Sequence, residues 1–564
     1  QFSYLLSELT IWRRSSRCEV NMRRDVLSLI VGWTMLAMLL PLSFSFLVTW
    51  WLDDFSTASI SFLLPIFFSG LIGLALLSIG VRSDTTERLR DREAFAAVAL
   101  AWPVAVLVGS LPFWLGGVFH GPFTDGSTMS DIGRGFVNSW FESMSGFTTT
   151  GATVIEHSMS PNCIPGTTPD CINAQPKGIL IWRSLTQWLG GMGIIMLGLM
   201  LLSRVLGGGM ALARAELTGP SLSRLRPKLQ ETALALWTIY IILTVLEIIL
   251  LWSLGGLTMF DAFNHGLTTM PSGGFSTHDA SIAYYDSFIV ESIIICFMFL
   301  AGVNFTLIWL AWEKQWDKVF ADQEGRSYVL VITATTLFVF IALMSQGSRL
   351  DEGFFDSLFT VVSIGTSTGY TSTDYMLWPV VTHIFLFLLM IVGACAGSTS
   401  GGLKLMRVKL GLKIAWREIG RIAQPKRVVR IRMNNEVVDN DRLGLIVGML
   451  FVWTALFALS CIVLAVTMPD SDFESVVAVV ASSLGNTGPT LGEYGPSNTW
   501  ASMGTPSLLF TSILMWFGRL ELMTALLLLH PRTWARETRE APDRASVKLI
   551  RELFEKIEDK SDEK

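Results

Sequence analysis

Apolar residues run along this chain in long unbroken stretches, without the alternation that marks surface helices or strands. Leu27 to Trp51, Leu234 to Leu254 and Ser507 to His530 are three of them. Each can cross a hydrocarbon layer of about 30 Å as a helix. Such stretches recur from end to end, too many for the interior of a soluble bundle. Spans are expected near Val26–Trp51, Ile60–Val81, Phe95–Val118, Leu180–Leu202, Leu234–Leu254, Ile293–Trp312, Val329–Met344, Val381–Cys395, Leu445–Thr467 and Leu508–His530. The pattern predicts an all-α integral membrane protein with ten transmembrane helices.

Between these spans, four loops share one motif: a short apolar segment, a hydroxyl residue, then glycine. They read Thr149-Thr150-Gly151, Pro271-Ser272-Gly273, Ser367-Thr368-Gly369 and Asn486-Thr487-Gly488. Ser or Thr precedes each of these glycines. Phe141, Phe263 and Phe359 lie ten residues before the first three, where the fourth has Ala478. A segment of roughly 12 residues precedes each glycine, too short to cross a membrane. Eight helices therefore group into four helix–pore-loop–helix repeats around a central pore, after two extra N-terminal helices. The expected divisions are 1–92 for the N-terminal segment and extra helices, then repeats at 93–228, 229–327, 328–440 and 441–534. A C-terminal tail follows at 535–564.

Charged residues make up only 16% of the chain, and the net charge is −5. Their placement is more informative. Cations cluster in alternate loops: Arg82 to Arg92, Arg204 to Lys228, Lys314 to Arg326, Lys404 to Arg442, and Arg532 to Arg539. The positive-inside rule makes these loops cytoplasmic, with both termini. Loops carrying Asp261, Asp279, Asp286, Asp351, Glu352, Asp356, Asp374, Asp470, Asp472, Glu474 and Glu493 face outward. Met22-Arg23-Arg24 precedes the first apolar run, which is too long for a signal-peptide core and is read as a retained span. Cys163 and Cys171 lie in an outer loop, PNCIPGTTPDC, where an oxidising surface favours a disulfide. Cys18, Cys296, Cys395 and Cys461 are read as small apolar fillers.

A short half-helix entering the membrane turns its negative C-terminal end toward the pore centre, while acids near its N-terminus complement the positive end. The Ser/Thr-Gly stretch that follows aims backbone carbonyls inward, replacing a cation's water. Glycine gives the backbone the angles this needs. No ring of inward carboxylates is present, which argues against calcium. One glycine per loop, where a long-filter potassium channel has two, implies weaker discrimination and some sodium passage. Below the filter, the span from Val381 breaks at Gly393-Ala394-Cys395-Ala396-Gly397-Ser398-Thr399-Ser400-Gly401-Gly402. Small-residue helix packing is one reading; an irregular loop lining a cavity is the other. Arg519 lies inside the last span, where a charge is costly; pairing with Glu521 is its structural alternative. Gly190-Gly191-Met192-Gly193 and Gly207-Gly208-Gly209 follow no strand and are read as packing or turn glycines. Metalloprotease, serine-hydrolase and CxxC motifs are absent, so an enzyme is not expected. Inverted repeats would alternate in orientation, whereas these four share one.

The motifs FTTTGAT, SGGFSTHDAS, GTSTGYTSTDY, GACAGSTSGGLKLMR, SLGNTGPT and GRLEL resemble, in combination, those of the Trk/Ktr/HKT potassium transporter superfamily. The likeness spans about Arg23 to Trp534. The two extra N-terminal helices resemble the bacterial TrkH/TrkG branch. The resemblance implies potassium uptake through a multi-pass protein of the bacterial inner membrane, with potassium as passenger and no prosthetic group. It implies that the loop with Gly393, Gly397, Ser398, Thr399, Ser400, Gly401 and Gly402 is a gate; Arg519, expected at the same depth, can hydrogen-bond the loop's carbonyls and repel a waiting cation, and is assigned to the gate with it. It also implies a homodimer and a TrkA-like cytoplasmic nucleotide-binding ring, with membrane lipid around the protein and no nucleic acid. The Pro271-Ser272 pair departs from the family pattern and bears on how strictly potassium is selected. The long Cys-bearing loop is a second departure.

Overall fold

A computed structural model describes residues 17–20, 24–80, 91–193, 229–347, 349–425, 429–434, 436–520, 522 and 537–540. The chain is mostly helical. It divides into a small unit, Gln1–Arg24 with Leu526–Lys564, and a large one, Asp25–Ala525. In the small unit, β1 (Arg17–Val20) pairs antiparallel with a strand at Glu537–Glu540.

In the large unit, α1 (Arg24–Leu52) and α2 (Phe55–Ile79) are followed by α3 (Asp91–Leu115). Then come α4 (Met129–Phe147), α5 (Lys177–Gly191), α6 (Leu229–Ser253) and α7 (Met259–Thr269). A helix pair, α8 (Phe288–Gly302) and α9 (Phe305–Trp312), leads through α10 (Trp316–Ala321) to α11 (Gln323–Met344) and α12 (Leu350–Gly365). The chain continues as α13 (Val380–Ile391), α14 (Leu405–Ala423), α15 (Asn440–Thr467), α16 (Phe473–Gly485) and α17 (Thr505–Arg519). Two short strands, β2 (Val392–Gly393) and β3 (Leu403–Lys404), pair in parallel across one loop.

Among the described residues, six helices are long and apolar enough to cross a membrane, in α1, α2, α3, α6, α11 and α15. The exposed surface of these helices is apolar. Leu40 is 78% exposed and Phe451 74%, which water would penalise and lipid does not. The interior is the reverse, with fully buried Ser143, Thr148, Thr268, Thr366, Ser482 and Thr487. The protein is a multi-pass membrane protein.

Two expected spans differ in detail, and two run beyond the described residues. Ile293–Trp312 is not one helix, because α8 and α9 meet at 103°. Val303 is extended, and the Asn304 side chain caps the new helix by accepting from Thr306 N. The span expected at Val381–Cys395 stops as a helix at Ile391. The spans expected at Leu180–Leu202 and Leu508–His530 extend past α5 and α17 into residues outside those described.

Candidate pore and gate

Four helices, α4, α7, α12 and α16, end alike. Each carries acid in its first turn: Asp131, Asp261, Asp351 with Glu352, and Glu474. Each finishes on a left-handed residue that is not glycine: Thr149, Ser272, Ser367 and Asn486, with φ of 54°, 58°, 56° and 52°. The next N–H then reaches back five residues. Thr150 donates to Ser145, Gly273 to Thr268, Thr368 to Ser363 and Thr487 to Ser482, at 2.9, 2.9, 2.9 and 3.0 Å. This is a Schellman-type closure, which satisfies carbonyls a helix end would otherwise leave bare.

The shared geometry corrects the register of the second loop. Gly151, Gly369 and Gly488 follow the closure with φ of 84°, 81° and 93°, and in the second loop Gly274 does so, at 75°. Ser272-Gly273-Gly274 therefore matches Thr149-Thr150-Gly151, and Pro271 matches Thr148. Gly273, expected as the filter glycine, stands one position early, where the other loops have threonine.

These glycines close a ring. A Cβ on Gly151 would lie 2.2 Å from the Gly273 carbonyl oxygen. One on Gly274 would lie 1.9 Å from that of Thr368, and one on Gly369 2.1 Å from that of Thr487. One on Gly488 would lie 2.4 Å from that of Thr150, which completes the circuit. Gly151, Gly274, Gly369 and Gly488 form part of the wall of a cavity of about 480 Å³ that also holds Glu156, Asp279 and Glu493. Another cavity, of about 100 Å³, is lined by Gly190, Gly191, the loop Gly397 to Gly402, Lys404 and Arg519.

That loop is held against the helix ends. Gly401 N donates to Ser367 Oγ at 2.6 Å, and the Ser272 and Thr399 hydroxyls are 2.9 Å apart. A Cβ on Gly401 would meet the Gly485 carbonyl at 2.3 Å. The break between α8 and α9 receives the loop's backbone: Cys395 N donates to Gly302 O, Thr399 N to Ala301 O, and Phe305 N to Gly397 O. Gly393 sits in β2, and Gly397 and Gly402 turn with positive φ. Ser398 Oγ lies 2.9 Å from Ser400 Oγ. Arg519 donates to Thr399 O at 2.8 Å and to the Gly190 and Gly191 carbonyls at 2.7 Å each. Lys404, buried, donates to Ser400 O. Glu324 accepts from Ala396 N at 2.7 Å and Met406 N at 3.2 Å, tying the loop to α14.

The carbonyls of Gly190 and Gly191, read from sequence only as packing or turn glycines, thus accept hydrogen bonds from Arg519; Gly207 to Gly209 lie outside the described residues. Glu521, the alternative partner for Arg519, also lies outside them. Lys404, which the sequence marks as the first cation of a basic loop, is buried instead; Glu324 and a buried pair, Arg183 Nε to Glu142 Oε1 at 2.7 Å, stand out in no sequence pattern. The cost of a charge inside an apolar span, applied to Arg519, selects Arg183 equally.

Cys163 and Cys171 are disulfide-bonded, with Cα atoms 5.3 Å apart. Asp279, beside the ring, accepts from Cys171 N at 2.7 Å and Ile172 N at 2.8 Å. Burial pushes the Asp279 carboxyl above its ordinary value, and these two N–H groups offset part of that. His278 Nδ1 lies 2.6 Å from Asp170, so the disulfide loop is docked twice on the loop that follows α7.

Residues 118–534 match the family TrkH: Cation transport protein. The Trk system potassium uptake protein TrkH of Halomonas elongata is 34% identical over 466 residues, covering 82% of this chain and 90% of its own. That of Escherichia coli is 35% identical over 454 residues, 79% and 86% of the two chains. The crystal structure of the potassium transporter TrkH from Vibrio parahaemolyticus superposes with a TM-score of 0.75 at 30% identity, covering 91% of this chain and all of that one. The matched segment takes in all four helix ends, the ring glycines and the Arg519-bound loop, and on that evidence the chain belongs to the TrkH cation transport family, a family of transporters and not of enzymes.

Proposed function

We propose that this chain carries potassium through the glycine ring into the cell, as an uptake system of the bacterial inner membrane. The closed circuit of four glycines against four carbonyls supports this most directly. Side chains larger than hydrogen have no room there, so backbone oxygens are what a dehydrated cation meets. The filter set is Thr149-Thr150-Gly151, Ser272-Gly273-Gly274, Ser367-Thr368-Gly369 and Asn486-Thr487-Gly488. The reading takes α4, α7, α12 and α16 as pore helices in four repeats. The two N-terminal helices bring the spans to ten, and both termini are cytoplasmic.

The loop Gly393 to Gly402 is the gate in this reading. Arg519 and Lys404 neutralise its carbonyls and also set fixed positive charge in the cation's path, which repels it. Opening moves the loop away from Ser272, Ser367 and Arg519, with Gly397 and Gly402 absorbing the change of backbone angle. Glu324 and α14 link that motion to the basic segment Lys404 to Arg442. A TrkA-like nucleotide-binding ring would dock there, on a homodimer of this chain, with Arg430 and Arg432 among its contacts; Arg427 and Arg214 to Lys228 lie outside the described residues.

The test is the reversal potential of the purified protein in planar bilayers with potassium on one side and sodium on the other. Gly369→Ser and Gly274→Ser should each lower the potassium-to-sodium permeability ratio. An unchanged ratio in both would end the reading. Arg519→Ala should raise open probability; an equal or lower value in folded protein would move the gate elsewhere.

A further inference from the structure

The second filter strand lacks what its three counterparts have. Thr150, Thr368 and Thr487 carry a buried hydroxyl side chain one residue before the ring glycine, and Gly273 carries none. In the first and third strands that hydroxyl bonds a neighbour on the same helix end. Thr150 pairs with Thr148 and Thr368 with Thr366, at 2.8 Å each. Pro271 stands at the matching place in the second strand and offers no hydroxyl.

The vacant position is filled from another repeat. Gln187 on α5 is fully buried, and a Cβ on Gly273 would meet its amide carbon and oxygen at 2.4 Å. Its Nε2 donates to Gly273 O at 2.7 Å, and its Oε1 accepts from Phe275 N at 3.1 Å. The two bonds flank Gly274, the ring glycine. Phe275 N–H can only donate, so the amide orientation is set. Gln187 does not act alone. Arg183, one turn before it, lies 3.5 Å over the Phe275 ring and donates to Ser276 O at 2.9 Å. Gly191, one turn after it, leaves room for Pro271, whose Cβ a side chain there would meet at 2.3 Å. Residues four apart share a helix face, so one face of α5 tracks the strand from Ser276 back to Pro271.

We infer that Gln187 is a positioning residue for selectivity. It holds the Gly273 carbonyl and the Gly274 backbone in the ring, replacing from repeat one the hydroxyl that repeat two lacks. The inference rests on the filter reading above. Of the four ring carbonyls, that of Gly273 is bound by this side-chain amide, so its aim depends on a residue outside its own strand.

The test uses the same two-cation reversal potentials on full-length protein. Gln187→Met keeps the volume and removes both hydrogen bonds. It should lower the potassium-to-sodium ratio by about fivefold, the scale of one net hydrogen bond. Gly273→Thr alone should lose transport, because its Cβ collides with the amide. Gln187→Ala with Gly273→Thr relieves that collision but leaves both hydrogen bonds missing, so it should restore transport with the ratio still about fivefold below the parent. Selectivity distinguishes this role from mere support of the fold, which would alter yield or melting and leave the ratio alone. A parental ratio in Gln187→Met, or in the folded double variant, overturns the inference. If Gly369→Ser still collapses the ratio in that experiment, the filter reading stands without it. If Gly369→Ser and Gly274→Ser both leave the ratio unchanged, the filter reading fails and takes the inference with it.

Discussion

Thr149, Ser272, Ser367 and Asn486 hold a left-handed backbone that costs a residue with a side chain about 1–2 kcal/mol. Each is held by the five-residue closure beside it, and Asn486 adds side-chain bonds to Thr150 Oγ1 and Met515 O. The repeated motif was legible in sequence, but not its register in the second loop. Two adjacent glycines offered two alignments, and a rule of hydroxyl before glycine chose Gly273. The hydroxyl six residues before the ring glycine decides otherwise: Ser145, Thr268, Ser363 and Ser482 all obey it with Gly274. Composition does not mark it, because its cause, a backbone closure onto that residue, is a property of the helix end. The buried Glu142–Arg183 pair gives a prediction at this scale. Its oxygens also accept from Thr153 Oγ1 and Val154 N, so both charges are fully engaged. Removing Glu142 alone should destabilise the protein by about 3–5 kcal/mol, and replacing both partners with apolar residues of like volume by less. Melting curves in detergent compare the two; equal losses would show that no stranded charge is involved.

The short helices follow from apolar segments too brief to span, and the sequence marks them well. The bend between α8 and α9 was not legible. Asn304 as a cap is a weak signal inside an apolar run, and the partner that favours the break, the loop at Cys395 to Thr399, lies far along the chain. Glu324 joins that loop to α14 by accepting from Ala396 N and Met406 N. Glu324→Ala should leave both donors bare, at about 1–3 kcal/mol each, and raise open probability in single-channel records. Glu324→Gln keeps an acceptor and should shift it less. The reverse order would count against a tie between gate and helix. At the outer face, Cys163→Ser with Cys171→Ser should cost about 2–3 kcal/mol of stability. The Asp279 contacts still dock the loop, so potassium flux should persist; its abolition would give the disulfide a role in the pore.

At the scale of the molecule, apolar length was enough to mark a multi-pass membrane protein, whereas its polar interior of buried Ser and Thr needed the fold. Individual residues at the ring needed the fold, because the carbonyl opposite each glycine belongs to the next repeat. The orientation prediction is that cysteines placed at exposed Arg421 and Asp470 are labelled from opposite faces, Arg421 from the cytoplasm; labelling from one face would reverse the assignment. In the proposed pore, four backbone segments close around one cation. Diffraction with rubidium or thallium in place of potassium tests it most directly. Anomalous density should lie on the axis among the carbonyls of Thr150, Gly273, Thr368 and Thr487. A well-ordered ring with no density there, and density elsewhere between the helices, would contradict it.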